Sequence, residues 1–142
     1  MTPHQITLVQ ASWEQVRPIQ DTAASLFYGR LFELDPALRP MFKGDMAAQG
    51  RMLMAAIHGV VSGLTRLEAL LPAIGQLARR HVGYGVQPVH YDTVGAALLW
   101  TLQRGLGDAF TPATHDAWAA AYGILAGAMK AAAYPQDLRA AA

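Results

Sequence analysis

With 142 residues, 53% hydrophobic and 15% charged, and a formal net charge of +1, the chain has the size of one domain and enough apolar residues for a substantial core. The charge fraction lies well below the usual ~25%, which argues against disorder. The near balance of 11 Lys+Arg and 10 Asp+Glu lacks the electrostatic footprint of a nucleic-acid binder. Without cysteine, disulfide frameworks, thiolate metal sites and Cys nucleophiles are excluded. The start, Met1-Thr2-Pro3-His4-Gln5, carries neither the basic cluster nor the apolar run of a signal peptide. The longest stretch free of charged or strongly polar residues, Ala117 to Met129, falls short of the ~20 residues a membrane span needs. A soluble, cytoplasmic protein with no membrane span is the expectation.

Twenty-seven alanines and the lack of any sustained period-two alternation of β-branched residues predict an all-α chain. The eight prolines then read as helix punctuation, each where a helix starts or stops. Thr2-Pro3 and Thr111-Pro112 pair an N-cap residue with proline at the first helical position. Pro18 divides a helix around Leu8–Val16 from one at Ile19–Leu34. Asp35-Pro36 opens a short helical turn to Phe42, Pro88 opens another long helix, and Pro135 follows the last. Between these points run helical stripes: Gln49, Leu53, Ile57 and Val60; Leu70, Ile74, Leu77 and His81; Tyr91, Val94, Leu98 and Leu102; Trp118, Tyr122, Leu125 and Met129. Each is one face of a helix that must pack against something. About seven helices in a single domain over 1–142 result, with a core over about 4–133 and a C-terminal tail at 134–142.

Three polar residues interrupt these apolar faces, where an unpartnered polar group is costly. His81 ends its stripe just before Gly83-Tyr84-Gly85; either glycine can supply a left-handed C-cap, so His81 reads as a cap residue or as a metal or haem ligand. Gln49 lies on the inward stripe of its helix, or faces water in a frayed first turn. Tyr28 reads as a core tyrosine with its hydroxyl at the surface, or as a polar group of a site. Of the other histidines, His4 and His115 sit in first turns, His58 neighbours a stripe without continuing it, and His90 is a second ligand candidate. Asp35, Asp45, Asp92 and Asp108 lie near helix ends, where capping is their ordinary role. No dinucleotide loop, P-loop, His-x-x-x-His pair or Gly-x-Ser-x-Gly elbow is present.

From Ser12-Trp13 to about Met129, the order and spacing of the residues resemble the globins, specifically bacterial single-domain haemoglobins and the globin domain of flavohaemoglobins. The marks are Ser12-Trp13, Leu26-Phe27-Tyr28, Leu31-Phe32, Asp35-Pro36 and Arg39-Pro40-x-Phe42. They continue with Arg80-His81, Tyr84-Gly85-Val86, His90-Tyr91-x-x-Val94-Gly95, Leu106-Gly107-Asp108, Ala117-Trp118 and Ala121-Tyr122-Gly123. Phe110-Thr111-Pro112-Ala113-Thr114 is also similar to neuroglobin-like sequences.

This resemblance implies a globin fold of helices A, B, C, E, F, G and H, with D short or absent, around haem b. It implies His81 as the proximal iron ligand, Tyr28 and Gln49 as distal polar groups, and Leu53 as the apolar distal wall. Phe42 would pack on the haem face, with Leu77, Val86, Tyr91 and Val94 completing the pocket. Ferrous haem O2 carries partial negative charge on oxygen, so donors from Tyr28 and Gln49 imply high affinity and slow release. Tyr91 matches a tyrosine that contacts the iron-bound histidine, but the glutamate that the flavohaemoglobin branch pairs with it falls here at Ala133. Without that acid the histidine is a more neutral imidazole, unfavourable to peroxide activation.

The expected partners are O2 and other diatomic ligands (NO, CO) and a separate reductase, in a monomer or homodimer; Arg51, Arg79 and Arg80 are candidates to pair with the haem propionates. Reversible O2 binding is the leading reading and nitric oxide dioxygenation the rival. A sensor would carry an output domain, and a haem-free bundle would lack Soret absorbance.

Overall fold

The computed structural model describes residues 1–134; Pro135 and the rest of the expected tail, 135–142, lie outside the described residues. Six α-helices carry the chain: α1 (Pro3–Val16), α2 (Gln20–Leu34), α3 (Met46–Ser62), α4 (Leu67–Gly83), α5 (His90–Leu106) and α6 (Pro112–Ala133). Four 3-10 segments join them among the described residues, the longest being the six-residue turn at Pro36–Met41. No strand occurs among the described residues.

The helix starts follow local chemistry. Thr2 closes a capping box with Gln5 and Pro3 takes the first position of α1. Thr111 accepts from the Thr114 N–H ahead of Pro112. Asp35 and Asp45 accept from the amides of Ala37 (3.1 Å) and Ala47 (3.0 Å), the capping role expected of them. A 3-10 step at Arg17–Ile19 containing Pro18 turns α1 into α2.

Two prolines depart from the punctuation pattern. Pro72 lies inside α4 and Pro40 inside the Pro36–Met41 turn. Pro72 and Glu68, whose carbonyl loses its i+4 donor, are both exposed, so water can satisfy that carbonyl. The helix after Pro88 also begins two residues later than expected, at His90.

Every residue of the four stripes is buried or half-buried. α2 packs across α5 and α3, while α6 is flanked by α1 and α4. Gly50 permits the close crossing of α3 over α2, because a Cβ there would stand 2.9 Å from the Ala24 Cβ. The chain bends by 59° between α3 and Leu64–Gly83. α3 and α4 consequently pack on different partners rather than along each other.

That divergence divides the core. One cluster, around Val9, Trp13, Leu102 and Trp118, joins α1, α3, α5 and α6. A second, around Phe27, Tyr28, Leu31 and Leu38, joins α2, the Pro36–Met41 turn and α5. A third, around Ile74, Ala78, Tyr91 and Met129, joins α4, α5 and α6. Val94 belongs to the second cluster and Tyr91 to the third, one helical turn apart, so α5 underlies the boundary between them.

No single helix among the described residues is long and apolar enough to cross a membrane.

Candidate functional site

The apolar residues expected to line a site share one property. Phe42, Leu53, Leu77, Val86 and Val94 are all half-buried, whereas the clusters behind them are sealed. Half-exposed apolar side chains from α3, α4, α5 and two connecting segments thus line the border between the second and third clusters, Phe42, Leu53 and Val94 on one side and Leu77 and Val86 on the other. Such a lining favours an apolar guest.

His81 occupies the last turn of α4 on that border, half-buried. Its Nδ1 lies 2.8 Å from the Leu77 carbonyl oxygen. A carbonyl only accepts, so Nδ1 is the donor of this bond and Nε2 is the ring nitrogen it leaves over. The helix end is closed by a six-residue ring: the Val86 N–H donates to the His81 carbonyl (3.0 Å) and the Gly85 N–H to the Val82 carbonyl (3.0 Å). Gly85 (φ 91°) adopts the left-handed conformation, so of the two candidate cap glycines it is Gly85 that serves. The same ring sets Val86 against His81. A Cβ on Gly85 would sit 3.3 Å from Met41 Cε, so this corner abuts the end of the Pro36–Met41 turn.

The other histidines are engaged elsewhere. His58 Nδ1 accepts from Trp13 Nε1 (3.0 Å), and His90 Nδ1 accepts from the Gln87 N–H (3.0 Å), which ties the second ligand candidate to the start of α5. His115 contacts Asp116 at 3.1 Å, and His4 is exposed. No group of three or more His, Cys, Asp or Glu side chains able to hold a metal gathers among the described residues.

Across that border, Tyr28 is 7% exposed. Its ring meets Phe27 edge-on (centroids 5.1 Å), Phe42 edge-on (5.3 Å) and Phe32 in a stack (6.0 Å). Burial pushes the phenol's pKa up, and a side-chain hydrogen bond with Gln49 acts in the opposite direction. Gln49 is half-buried in the first full turn of α3, its amide N–H bonded to the Asp45 carbonyl at 3.0 Å. Tyr28 and Gln49 are thus neighbours. Phe32, four residues beyond Tyr28 on the same helical face, is a member of this wall that the sequence pattern did not single out as a site residue.

The third cluster holds tyrosines. The Tyr122 hydroxyl donates to the Tyr91 carbonyl (2.6 Å), and the Tyr134 hydroxyl donates to the Val86 carbonyl. Tyr134 fastens the segment after α4, and Tyr122 the first turn of α5, to α6 and its end; Tyr134, just before Pro135, had no periodic signal to reveal it. The Tyr91 hydroxyl is buried and has no hydrogen-bond partner among the described residues. Burial raises the Tyr91 pKa, and Tyr134 adds to the shift. Ala133 packs against the same cluster. Arg79 and Arg80 are exposed on α4 beside Gln76, and Arg51 is exposed on α3.

The Globin family model matches residues 25–129. The flavohemoprotein of Deinococcus radiodurans is 36% identical over 132 residues, covering 91% of this chain and 33% of the relative. That of Xylella fastidiosa is 31% identical over 132 residues, again 91% of this chain and 33% of the relative. The chain spans about a third of the length of these curated relatives. A solved bacterial globin from Campylobacter jejuni superimposes with a TM-score of 0.84 at 27% identity, covering 95% of this chain and 98% of that one. The helix order and these matches agree: the chain belongs to the globin family.

Proposed function

We propose that this globin holds haem b at the border between the second and third clusters, with His81 as its iron ligand, and binds O2 reversibly and tightly. The observation that carries the reading is the Leu77 carbonyl 2.8 Å from His81 Nδ1. A metal-ligating histidine ordinarily donates its other ring N–H in this way, which fixes tautomer and orientation. The donor set fits: one histidine with a free Nε2, beside a half-buried apolar lining from Phe42, Leu53, Leu77, Val86 and Val94. Bound haem would supply an iron centre able to take a diatomic ligand.

The chain's own contribution is polarity on the distal side. Tyr28 offers O–H and Gln49 offers N–H donors at the edge of an apolar space. Charge that develops on a bound diatomic molecule is stabilised by such donors, at about 1.5–3 kcal/mol each, or roughly ten- to hundredfold in release rate. Carbon monoxide develops less charge and gains less. Leu53 keeps the adjoining wall dry, which strengthens these bonds. His81→Ala is the direct test. Loss of the Soret band supports the ligand assignment, and an unchanged band overturns it.

The flavohemoprotein relatives favour a second reading, nitric oxide dioxygenation fed by a flavin reductase. The balance is NO + O2 + one electron → NO3−, with the electron from the reductase. The Tyr91 hydroxyl without a partner among the described residues, in the cluster that Ala133 packs against, weighs against strong activity of this kind, because among the described residues no carboxylate reaches that hydroxyl. Sustained catalytic nitric oxide consumption with a cellular reductase would favour dioxygenation over O2 binding.

A further inference from the structure

Arg39, within the Pro36–Met41 turn, is exposed and forms no ion pair among the described residues, yet its side chain is committed twice. Its Nη1 donates to the Phe42 carbonyl at 2.8 Å, and its guanidinium carbon lies 5.5 Å from the centroid of the Phe32 ring. The Arg39 carbonyl in turn accepts from the Phe42 N–H at 3.1 Å. One residue therefore holds both ends of the Phe42 backbone. That backbone is extended (φ −103°, ψ 99°), so no helix fixes it in place.

Behind this clamp three rings close a triangle. Phe32 meets Phe42 edge-on (centroids 5.4 Å, 64°), and Phe42 meets Tyr28 edge-on (5.3 Å, 67°). Phe32 stacks on Tyr28 (6.0 Å, 27°). The Tyr28 hydroxyl is the one polar side-chain group among the three.

We propose that Arg39 is a positioning residue for Tyr28: by joining Phe42 to Phe32 it fixes the ring triangle, and with it the direction of the Tyr28 hydroxyl. The inference rests on the distal role proposed for Tyr28. A guanidinium is planar, so it can lie over a ring while its edge donates to a carbonyl; an ammonium is a point charge without that face. Rings held by both edge and face contacts have few orientations open to them. Hydrogen bonds weaken steeply with misalignment, so a phenol released from the triangle would donate only part of the time.

The test compares variants of the haem-loaded protein by O2 release and by the infrared spectrum of its carbon monoxide complex. Arg39 is exposed, so its replacement opens no hole in the core. Arg39→Gln should split the C–O stretch into two bands, the new one at the higher frequency that Tyr28→Phe shows alone. O2 release should speed up about threefold or more, short of the effect of Tyr28→Phe. Phe32→Leu, which keeps the carbonyl bond but removes the ring beneath the guanidinium, should show the same second band. Nuclear Overhauser contacts between the Tyr28 and Phe42 rings should weaken in both variants. Arg17→Gln, which removes an exposed arginine paired with Glu14 on α1, should match wild type. A single wild-type band in Arg39→Gln, with O2 release within about twofold of wild type, overturns the clamp; if Tyr28→Phe still shows its shift, the distal reading stands. Full recovery of the wild-type band in Arg39→Lys also overturns it, because charge alone would then suffice. A Tyr28→Phe protein with an unmoved band and unaltered O2 release removes the distal role and the clamp together.

Discussion

The two sides of the border between the second and third clusters use the same kinds of residue in opposite ways. On the α2 side, Phe27, Tyr28, Phe32 and Phe42 stack and edge against one another, and the buried phenol meets the side chain of Gln49. On the α4–α6 side, Tyr122 and Tyr134 spend their hydroxyls on backbone carbonyls, fastening the chain after α4. Only Tyr91 departs from that second pattern, with a buried hydroxyl and no partner among the described residues. One wall keeps its polar groups on side chains, which a ligand can recruit. The other commits them to holding the backbone, which positions His81 but leaves little to tune it. On the proposed function, such a protein would regulate its ligand chiefly from the side of Tyr28 and Gln49.

The largest test of this contrast removes the one proximal group assigned to the haem. His81→Gly should lose the Soret band, and added imidazole should restore it; recovery without imidazole would mean that another side chain can serve. Next comes Tyr28→Phe, which should speed O2 release by roughly tenfold or more while changing carbon monoxide release less. An O2 off-rate within about twofold of wild type would remove Tyr28 as principal donor and dissolve the contrast.

Alkaline pH probes both walls together. Burial raises the pKa of Tyr28, Tyr91 and Tyr122, the last with further contributions from Tyr91 and Asp92. A raised folded-state pKa means the fold favours the protonated phenol. The stability these groups contribute is therefore complete below the ordinary value of about 10 and is lost as pH climbs above it. Denaturant midpoints should fall steadily above about pH 10, in step with tyrosinate absorbance. A flat profile would show that the phenols ionise without cost in the fold.

Ala133→Glu is a smaller change, made on the proximal side alone. An added carboxylate near Tyr91 should raise the iron–histidine stretching frequency, and an unmoved frequency would deny that position any hold on His81. Smallest of all is Tyr91→Phe, which deletes an orphaned hydroxyl. Its effect on stability should be neutral or a gain of up to about 1 kcal/mol in denaturant unfolding, because no bond is lost and a desolvated group is removed. A loss above about 2 kcal/mol would mean the hydroxyl has a partner after all.

Much of this architecture was legible in the residues themselves. Thr2-Pro3 and Thr111-Pro112 announce their helices because capping acts within three or four positions. The stripe ending at His81 is equally plain, since a helix of period 3.6 puts Leu70, Ile74, Leu77 and His81 on one face. Pro72 misled because a proline inside a helix is tolerated where its orphaned carbonyl meets water, and exposure is a tertiary property. The neighbourhood of Tyr28 and Gln49 was beyond periodicity alone, as they lie on different helices; the family resemblance was needed to pair them. Tyr134 and the bond from Trp13 to His58 left no signal, since each joins residues more than forty positions apart.

The glycine turn that closes α4 has a consequence for how the chain acquires its site. The bonds from Val86 to His81, from Gly85 to Val82 and from the histidine ring to Leu77 all join residues at most five positions apart. Contacts so near in sequence form early and rapidly, needing no long loop to close. The imidazole therefore receives its tautomer from its own helix, ahead of the slower meeting of α4 with α6. The most demanding geometry in the molecule is thereby entrusted to its least demanding folding step.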